Sequence, residues 1–308
     1  MSSLANAVGV PSQVGTITPD ILYNKMFKTY LYQNTVLGNI TNTDYQGDIK
    51  QFGNSVSVSD LPDIVVNNYV NGQQLDIQAL SYVSKVLTID KGLYYAFKVT
   101  DVDKKQANFA FSPKVAEHAA KILKIALERN FFANIYSEAD SHNKGATAGI
   151  ESGDINLGVT GTPYQVTSST VLELIENASV CLDEQNVPDN DRYIVLPPWA
   201  IRAIKTSELK QAYLTGDAKS PLRTGLVGMI DRFTVYSSNL LPKVVDGSAT
   251  CWHAIAGQKL AVSFAPQLTQ TETGIKNPNA FEEITRGLMV YGFKAFEPKA
   301  LCDLYIKK

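Results

Sequence analysis

The stretch from Asp48 to Asp103 places the tightest constraint on what this chain can fold into. Its first arm, Asp48–Ser59, ends in Ser55-Val56-Ser57-Val58-Ser59, a strict polar–apolar alternation. Its second arm runs from Tyr82 to Val102 and puts Leu93, Tyr95, Phe97 and Val99 on one face and Tyr94, Ala96, Lys98 and Thr100 on the other. A period of two is the repeat of a half-buried strand. Between the arms lies Leu61–Ser81, rich in Asn, Gln and Asp. Compact domains rarely keep a structureless loop longer than about 12–15 residues unless it has a job. An isolated two-stranded hairpin is only marginally stable in water. The pattern therefore predicts a long hairpin that lies against something else. That support is either an ordinary sheet of the same chain or a neighbouring copy of it.

The rest of the chain is read around this arm. Residues 1–43 form a leading arm in which Thr18-Pro19-Asp20 opens a helix over Ile21–Gln33. Its aromatics, Tyr23, Phe27 and Tyr30, recur every three to four residues and give one greasy side. That side docks either on its own core or on a neighbour. The strongest helical signal runs from Ser112, placed as a cap, through Pro113 in the first turn to about Tyr136. Ala116, Ala120, Leu123, Leu127, Phe131 and Ile135 make its apolar stripe, and Lys114, Glu117, Lys121, Lys124 and Glu128 its wet face. At 1.5 Å per residue it spans about 37 Å, the length of a spine across a flat lobe.

Ser137–Ser168 is glycine-rich and weakly periodic, as loops with short strands are. Val171, Leu174, Ile175, Ala178 and Leu182 then mark an amphipathic helix that stops before Pro188. Arg192–Leu196 reads as a buried strand, and Pro197-Pro198-Trp199 starts a helix through Ile201, Ile204 and Leu209. Gly216–Thr224 reads as a loop and Gly228–Tyr236 as one strand. Two strand-like runs follow over Cys251–Phe264, then strands at Gly287–Phe296 and Ala300–Ile306, with Pro298 as a break. Helices and strands mix without a βαβ rhythm, which places the chain in the α+β class.

Composition narrows the function. At 308 residues the chain exceeds what one core comfortably serves, so two lobes are expected. A net charge of −2 with no basic block offers no electrostatic footprint for nucleic acid. No run approaches the ~18–20 apolar residues of a membrane span, and the N-terminal residues lack the pattern of a signal peptide. Cys181, Cys251 and Cys302 are odd in number and widely spaced, which fits reduced thiols rather than a disulfide framework. His118, His142 and His253 have no second histidine at metal-ligating spacing, and the cysteines have no C-x-x-C pair. Asp101-Val102-Asp103 and Asp189-Asn190-Asp191 lack the glycine and distal glutamate of a calcium loop and read as solvated turns. Phosphate-cradling glycine motifs and the G-x-S-x-G elbow are absent from the sequence. No cofactor, metal or catalytic residue is expected, and a structural subunit is the simplest reading.

Several stretches together resemble the major capsid proteins of tailed bacteriophages, the fold named after the Hong Kong phage and shared with encapsulin shells. Asn42–Lys50, followed by Gly53, Val56 and Val58, looks like the start of that family's extended loop. Ile89–Val99, followed by Asp101, looks like its return. Ser112–Tyr136 matches the spine helix. Tyr193–Pro198, Gly225–Ile230 and Phe233–Pro242 resemble the axial lobe, and Gly287–Leu301 the closing strand of the peripheral lobe. The order and spacing of these motifs carry the resemblance across nearly the whole chain.

The resemblance implies an α+β Hong Kong phage capsid fold with N-terminal arm, extended β-hairpin loop, long spine helix, peripheral lobe and axial lobe. The segments would be 1–43 (arm), 44–103 (extended loop), 104–168 (peripheral domain with spine helix 112–136), 169–265 (axial domain) and 266–308 (return strands of the peripheral domain). It implies self-assembly through pentamers and hexamers into an icosahedral head around double-stranded DNA that is contacted weakly. Portal, scaffolding or decoration proteins would be further partners, with no membrane, assembly in the host cytoplasm and residence in the virion. Subunit contacts would fall on Ile49, Phe52, Val56, Val58, Tyr69, Leu87, Ile89 and Tyr95 of the loop and on Tyr23, Phe27 and Tyr30 of the arm. Some relatives cross-link a loop lysine to a neighbour's asparagine. Lys85 and Lys91 lie in or near the loop, but nothing in the sequence identifies an acceptor. The alternative on the same fold is an encapsulin-type compartment shell, and an unrelated enzyme with a site assembled from scattered residues is the third reading.

Overall fold

The computed structural model describes residues 35–42, 55–59, 64–68, 71–74, 76–79, 84–101, 111–207 and 228–308. The helix expected over Ile21–Gln33, the candidate contacts Ile49, Phe52 and Tyr69, Leu209 and the loop Gly216–Thr224 lie outside them.

A short helix α1 (Leu37–Ile40) leads in. The chain then supplies β1 (Ser55–Ser59), β2 (Ser84–Thr88), β3 (Lys91–Thr100) and the long helix α2 (Phe111–Ile135). After two 3-10 turns come β4 (Tyr164–Gln165), α3 (Val171–Glu184), β5 (Arg192–Leu196), α4 (Pro198–Thr206), β6 (Met229–Ile230) and β7 (Phe233–Ser237). The last part contains β8 (Lys243–Asp246), β9 (Ala249–Gln258), β10 (Val262–Lys276), β11 (Glu282–Ala295) and β12 (Leu301–Lys307).

These strands form three sheets. β1 and β2 make an antiparallel pair of their own, with Ser55 opposite Thr88 and Ser59 opposite Ser84. β10, β11 and β3 make an antiparallel three-stranded sheet in that order. The seven-stranded sheet runs β4-β12-β9-β5-β7-β6, with β8 also on β9. The predicted return arm is therefore two strands. It breaks at Ile89-Asp90, its first half pairing with the outgoing strand and its second half joining β11.

The long helix covers one face of the three-stranded sheet. Leu127, Phe131 and Ile135 of the expected stripe are buried, and Leu123 is half-buried. Phe131 meets Phe293 edge to face, with ring centres 5.2 Å apart, and Asn130 Nδ2 donates to the Tyr291 hydroxyl at 2.9 Å. The helix begins at Phe111, so Ser112 and Pro113 sit in its first turn, within the usual scatter of helix ends. Ala120 is exposed at the far end of the stripe, while Glu128, expected on the wet face, is buried. The stripe is buried along the C-terminal half of the helix, and there the residues of α1 and Val36 before it cover the adjacent face. Val36, Leu37 and Ile40 enter the main core beside Leu127 and Phe131.

Two further expectations are corrected. Residues 262–295 form one long hairpin, β10–β11, where the sequence suggested a strand-like run ending at Phe264 and a strand beginning only at Gly287. Leu268–Lys276 has too few apolar residues to announce a strand by hydrophobic pattern, although its threonines favour one, and it pairs with β11. Gly228–Tyr236 folds as a hairpin rather than one strand, because Asp231 takes a φ of 46° in the left-handed region and turns the chain. The closing residues 301–307 pair with β9 in the seven-stranded sheet, and β9 pairs with β5 on its other side. The α+β reading holds, with two parallel strand pairs, β5 with β7 and the short β4 with β12.

Candidate subunit interface

The extended loop has a buried root. Leu87 is fully buried and Ile89 nearly so, packed with Ala265 and Phe296, and Val58 of β1 leans on the same cluster. In β2 the adjacent Val86 and Leu87 point to opposite faces, Val86 exposed and Leu87 buried, so the pair turns one side inward onto Ala265 and Phe296. The backbones meet closely there. A Cβ on Gly292 would lie 2.3 Å from the Thr88 carbonyl oxygen and 3.1 Å from Ile89 Cα. Only glycine fits opposite that crossing. Lys85 Nζ donates to the Phe296 carbonyl at 2.5 Å and lies 3.6 Å from Glu297. Lys91 sits 2.9 Å from Asp90 and over the Phe293 ring at 4.7 Å. Both lysines of interest for cross-linking thus have partners inside the chain.

The far part of the loop is different. Ile64, Val65, Val66 and Ile77 are exposed, Val66 to 92% and Ile77 to 89%. The two sides of the loop touch where Val65 N–H donates to Gln78 Oε1 at 3.0 Å, and Gly72 turns the chain with a φ of 86°. An Ile-Val-Val run held in water is an apolar surface without a partner.

The predicted contact residues fall into different places. Leu87 and Ile89 face inward within their own chain. Val58 is half-buried at the root, and Val56 lies in β1 opposite Leu87. Tyr95 belongs to β3, where its ring stacks on Phe97 at 6.3 Å and fills the space left by Gly287 in the neighbouring strand. The exposed Ile64, Val65, Val66 and Ile77 were not singled out from the sequence. The β-branched run Ile64-Val65-Val66 within an otherwise polar connection was the signal that could have found them.

The outer face of the three-stranded sheet is open as well. Tyr94 and Leu288 stand side by side on it, bordered by an Arg286–Glu272 pair with contacts of 2.6 and 2.7 Å. At the other end, the leading residues are tied down by main-chain pairing. Asn42 N–H donates to the Val262 carbonyl and Asn42 O accepts from Phe264 N–H, each at 2.9 Å.

Titratable groups elsewhere hold the architecture. His253 Nδ1 lies 3.0 Å from both Asp303 carboxylate oxygens, and its ring stacks on Tyr136 at 3.9 Å and meets the tilted ring of Tyr305 at 4.7 Å. Burial pushes the Asp303 carboxyl up, against the pull of His253. Burial also raises the Cys181 thiol to about 12 and the Cys302 thiol well above its ordinary value. Such thiols are poor nucleophiles. The Asp189 turn, expected to be merely solvated, is ion-paired to Arg192 and Arg232. Among the described residues, no cluster of three His, Cys, Asp or Glu side chains is arranged to hold a metal ion, and no helix is long and apolar enough to cross a membrane.

Comparison with known proteins decides what this architecture is. A family profile described as phage capsid protein matches residues 43–304. The chain belongs to the phage capsid protein family. Solved structures agree in fold. The structure titled Mycobacterium phage Che8 is 24% identical, with a TM-score of 0.74 over 92% of this chain and 95% of that one. The capsid of Cyanophage P-SCSP1u is 16% identical, with a TM-score of 0.71 over 97% of each chain. The head structure of Helicobacter pylori bacteriophage KHP40 is 11% identical, with a TM-score of 0.65 over 100% of this chain and 98% of that one. No curated protein sequence matches the chain. This capsid subunit is a structural protein of the phage head, and its working surfaces are those that meet other copies of itself.

Proposed function

We propose that copies of this chain assemble through pentamers and hexamers into an icosahedral head around double-stranded DNA, with the extended loop of each copy lying on its neighbour. The single observation that carries this reading is a rooted arm with an unburied apolar tip, Ile64–Val66 and Ile77. Leu87 and Ile89 fix the arm to its own chain, and the residues that need a partner are distal. The receiving surface is the outer face of the neighbour's three-stranded sheet, around Tyr94 and Leu288. An arm on one copy and a receiving face elsewhere on the next is a heterologous contact, the kind that closes rings. Many such contacts per shell add by multivalency.

The role is structural rather than catalytic. A net charge of −2 suits a container that contacts packaged DNA weakly and releases it. Portal, scaffolding or decoration proteins would complete the head, and assembly would take place in the host cytoplasm. The test replaces residues 61–81 with a short Gly-Ser link. The variant is expected to keep its circular dichroism and melting transition and to form no shells under negative-stain microscopy. Intact particles from it would overturn the reading.

A further inference from the structure

The turn at Asn71-Gly72 is exposed on the extended loop. Asn71 is the only asparagine in the sequence that is followed by glycine. Gly72 holds a φ of 86°, and a Cβ placed on it would find no atom within 4 Å. Among the described residues, neither the Asn71 carboxamide nor the Gly72 N–H has a hydrogen-bond partner. Residues 71–74 carry no charge. The only Asp-Gly pair in the sequence, Asp246-Gly247, is in the opposite situation. Asp246 Oδ2 accepts from Gly161 N–H at 2.6 Å and from the Tyr305 hydroxyl at 3.2 Å, and Asp246 pairs with Ala249 where β8 turns into β9.

An asparagine Cγ lies within reach of the backbone nitrogen of the next residue, and the two can close into a cyclic imide. Two things normally prevent it. A side chain on the following residue crowds that nitrogen, and hydrogen bonds hold the carboxamide and the N–H in place. Glycine removes the first obstacle, and the exposed turn lacks the second. Gly72 N, losing its proton, attacks Asn71 Cγ. The new C–N bond forms, the Cγ–Nδ2 bond breaks, and Nδ2 leaves with that proton as ammonia. Water then opens the ring. Attack at Cγ restores the main chain and leaves aspartate. Attack at the Asn71 main-chain carbonyl carbon routes the chain through Cγ and leaves isoaspartate. Water is the one co-reactant, and nothing is oxidised or reduced. At Asp246 the same closure, with loss of water in place of ammonia, would have to break both hydrogen bonds of the carboxylate.

We propose that Asn71 is a self-modification site, converted through a succinimide with Gly72 into aspartate and isoaspartate in the folded subunit. Each event adds one negative charge, at an uncharged turn, to a chain of net charge −2. The modification is a property of the folded chain alone and stands or falls independently of where the extended loop docks. The test ages the purified full chain in heavy-oxygen water at mildly alkaline pH, natively and in urea, and maps its peptides by mass spectrometry. Heavy oxygen and isoaspartate are expected at Asn71, at a native rate within about tenfold of the rate in urea, which corresponds to about 1.4 kcal/mol in the barrier. Asp246 is expected to form isoaspartate in urea and to be slowed by more than that factor in the native chain. Asn71→Gln, which would need a larger ring, is expected to take up no heavy oxygen at that position over the same period. A native rate at Asn71 slowed as much as that at Asp246 would overturn the proposal. So would aspartate without isoaspartate at Asn71, the mark of direct hydrolysis with no ring.

Discussion

Glu128 of the long helix accepts a hydrogen bond from the Val36 backbone N–H at 2.9 Å through Oε2, the same oxygen that accepts from Leu37 N–H at 3.3 Å. Two amides at the start of α1, the kind that a short helix leaves without partners, are thus satisfied by a carboxylate some ninety residues away in sequence. The contact fixes where the leading segment meets the body of the subunit. Removing the carboxylate leaves two buried donors open, which costs about 1–3 kcal/mol. Glu128→Ala is expected to lose that much in urea unfolding. The pH dependence has a definite sign. Burial raises the Glu128 carboxyl above its ordinary value, against the pull of the two amides and Lys124. A group with a raised folded value contributes its stability below the unfolded value, about 4.3, and loses it as pH rises through the folded value. The stability of Glu128→Gln should match that of the wild type near pH 4 and overtake it towards neutrality. A constant difference across that range would show that the ionised form is not penalised.

That contact also marks the boundary of what the sequence could reveal. The helices α2 and α3 are legible because their apolar residues repeat at the helical period, and the strand β5 because it is a short continuous apolar run that ends at Pro197. Glu128 was assigned to solvent because it falls off the stripe, and no periodicity in α2 can register that Val36 and Leu37 cover that side. The β10–β11 hairpin was missed for the opposite reason. Its outer residues, such as Gln270, Glu272 and Arg286, are polar because that face is open in the single chain. The root and tip of the extended loop were both read as interface, since alternation shows which residues face one way but not what lies on that side.

Arg192 is the buried centre of the turn between α3 and β5. Its guanidinium reaches Asp183 at 2.7 Å and Asp189 at 3.2 Å, and it donates to the Pro188 carbonyl at 3.0 Å. Arg232 of the β6–β7 turn reaches the same two carboxylates. A lysine cannot reproduce the planar fork. Removing one member of a buried pair costs about 3–5 kcal/mol, but Asp183 and Asp189 are partly exposed and keep Arg232. Arg192→Lys is accordingly expected to lose about 2–3 kcal/mol by denaturant unfolding. Burial pushes the Asp183 carboxyl up, yet Arg192 and Arg232 together hold it below the ordinary range. A lowered value contributes stability above the unfolded value, about 3.9, which is lost as pH falls through the folded one. Asp183→Asn should flatten the acid side of the stability profile below about pH 4. A profile as steep as the wild type's would assign acid sensitivity elsewhere.

Gly292 and Gly287 lie on one strand and face different obstacles. A Cβ at Gly287 would meet the end of the Tyr95 ring at 2.4 Å, and a ring end can swing away. At Gly292 the obstacle is the Thr88 backbone, which can move only if the loop root moves. Gly292→Ala is expected to cost about 1–3 kcal/mol, the range for overpacking, and Gly287→Ala less. Limited proteolysis should cut the extended loop faster in Gly292→Ala and not in Gly287→Ala. Equal cleavage in both would mean that the root does not depend on the close approach.

The extended loop predicts a separation of effects between its two ends. Leu87 is buried at the root, so Leu87→Ala removes packing inside one chain and should cost about 2–3 kcal/mol. Val66 has almost no contact to lose, so Val66→Asp should leave the melting temperature within about 1 °C of the wild type. Assembly should respond in the reverse order. An aspartate at the tip must be desolvated against an apolar neighbour, and that penalty recurs at every copy in the shell. Val66→Asp is expected to lower particle yield at least tenfold while remaining a well-folded subunit. Leu87→Ala should still assemble below its lowered melting temperature, since the tip that meets the neighbour is unchanged. Thermal melts and negative-stain counts on the same preparations measure both quantities. If Val66→Asp assembled normally, the exposed Ile-Val-Val run would not be the part of the arm that binds, and the contact would have to be sought nearer the root.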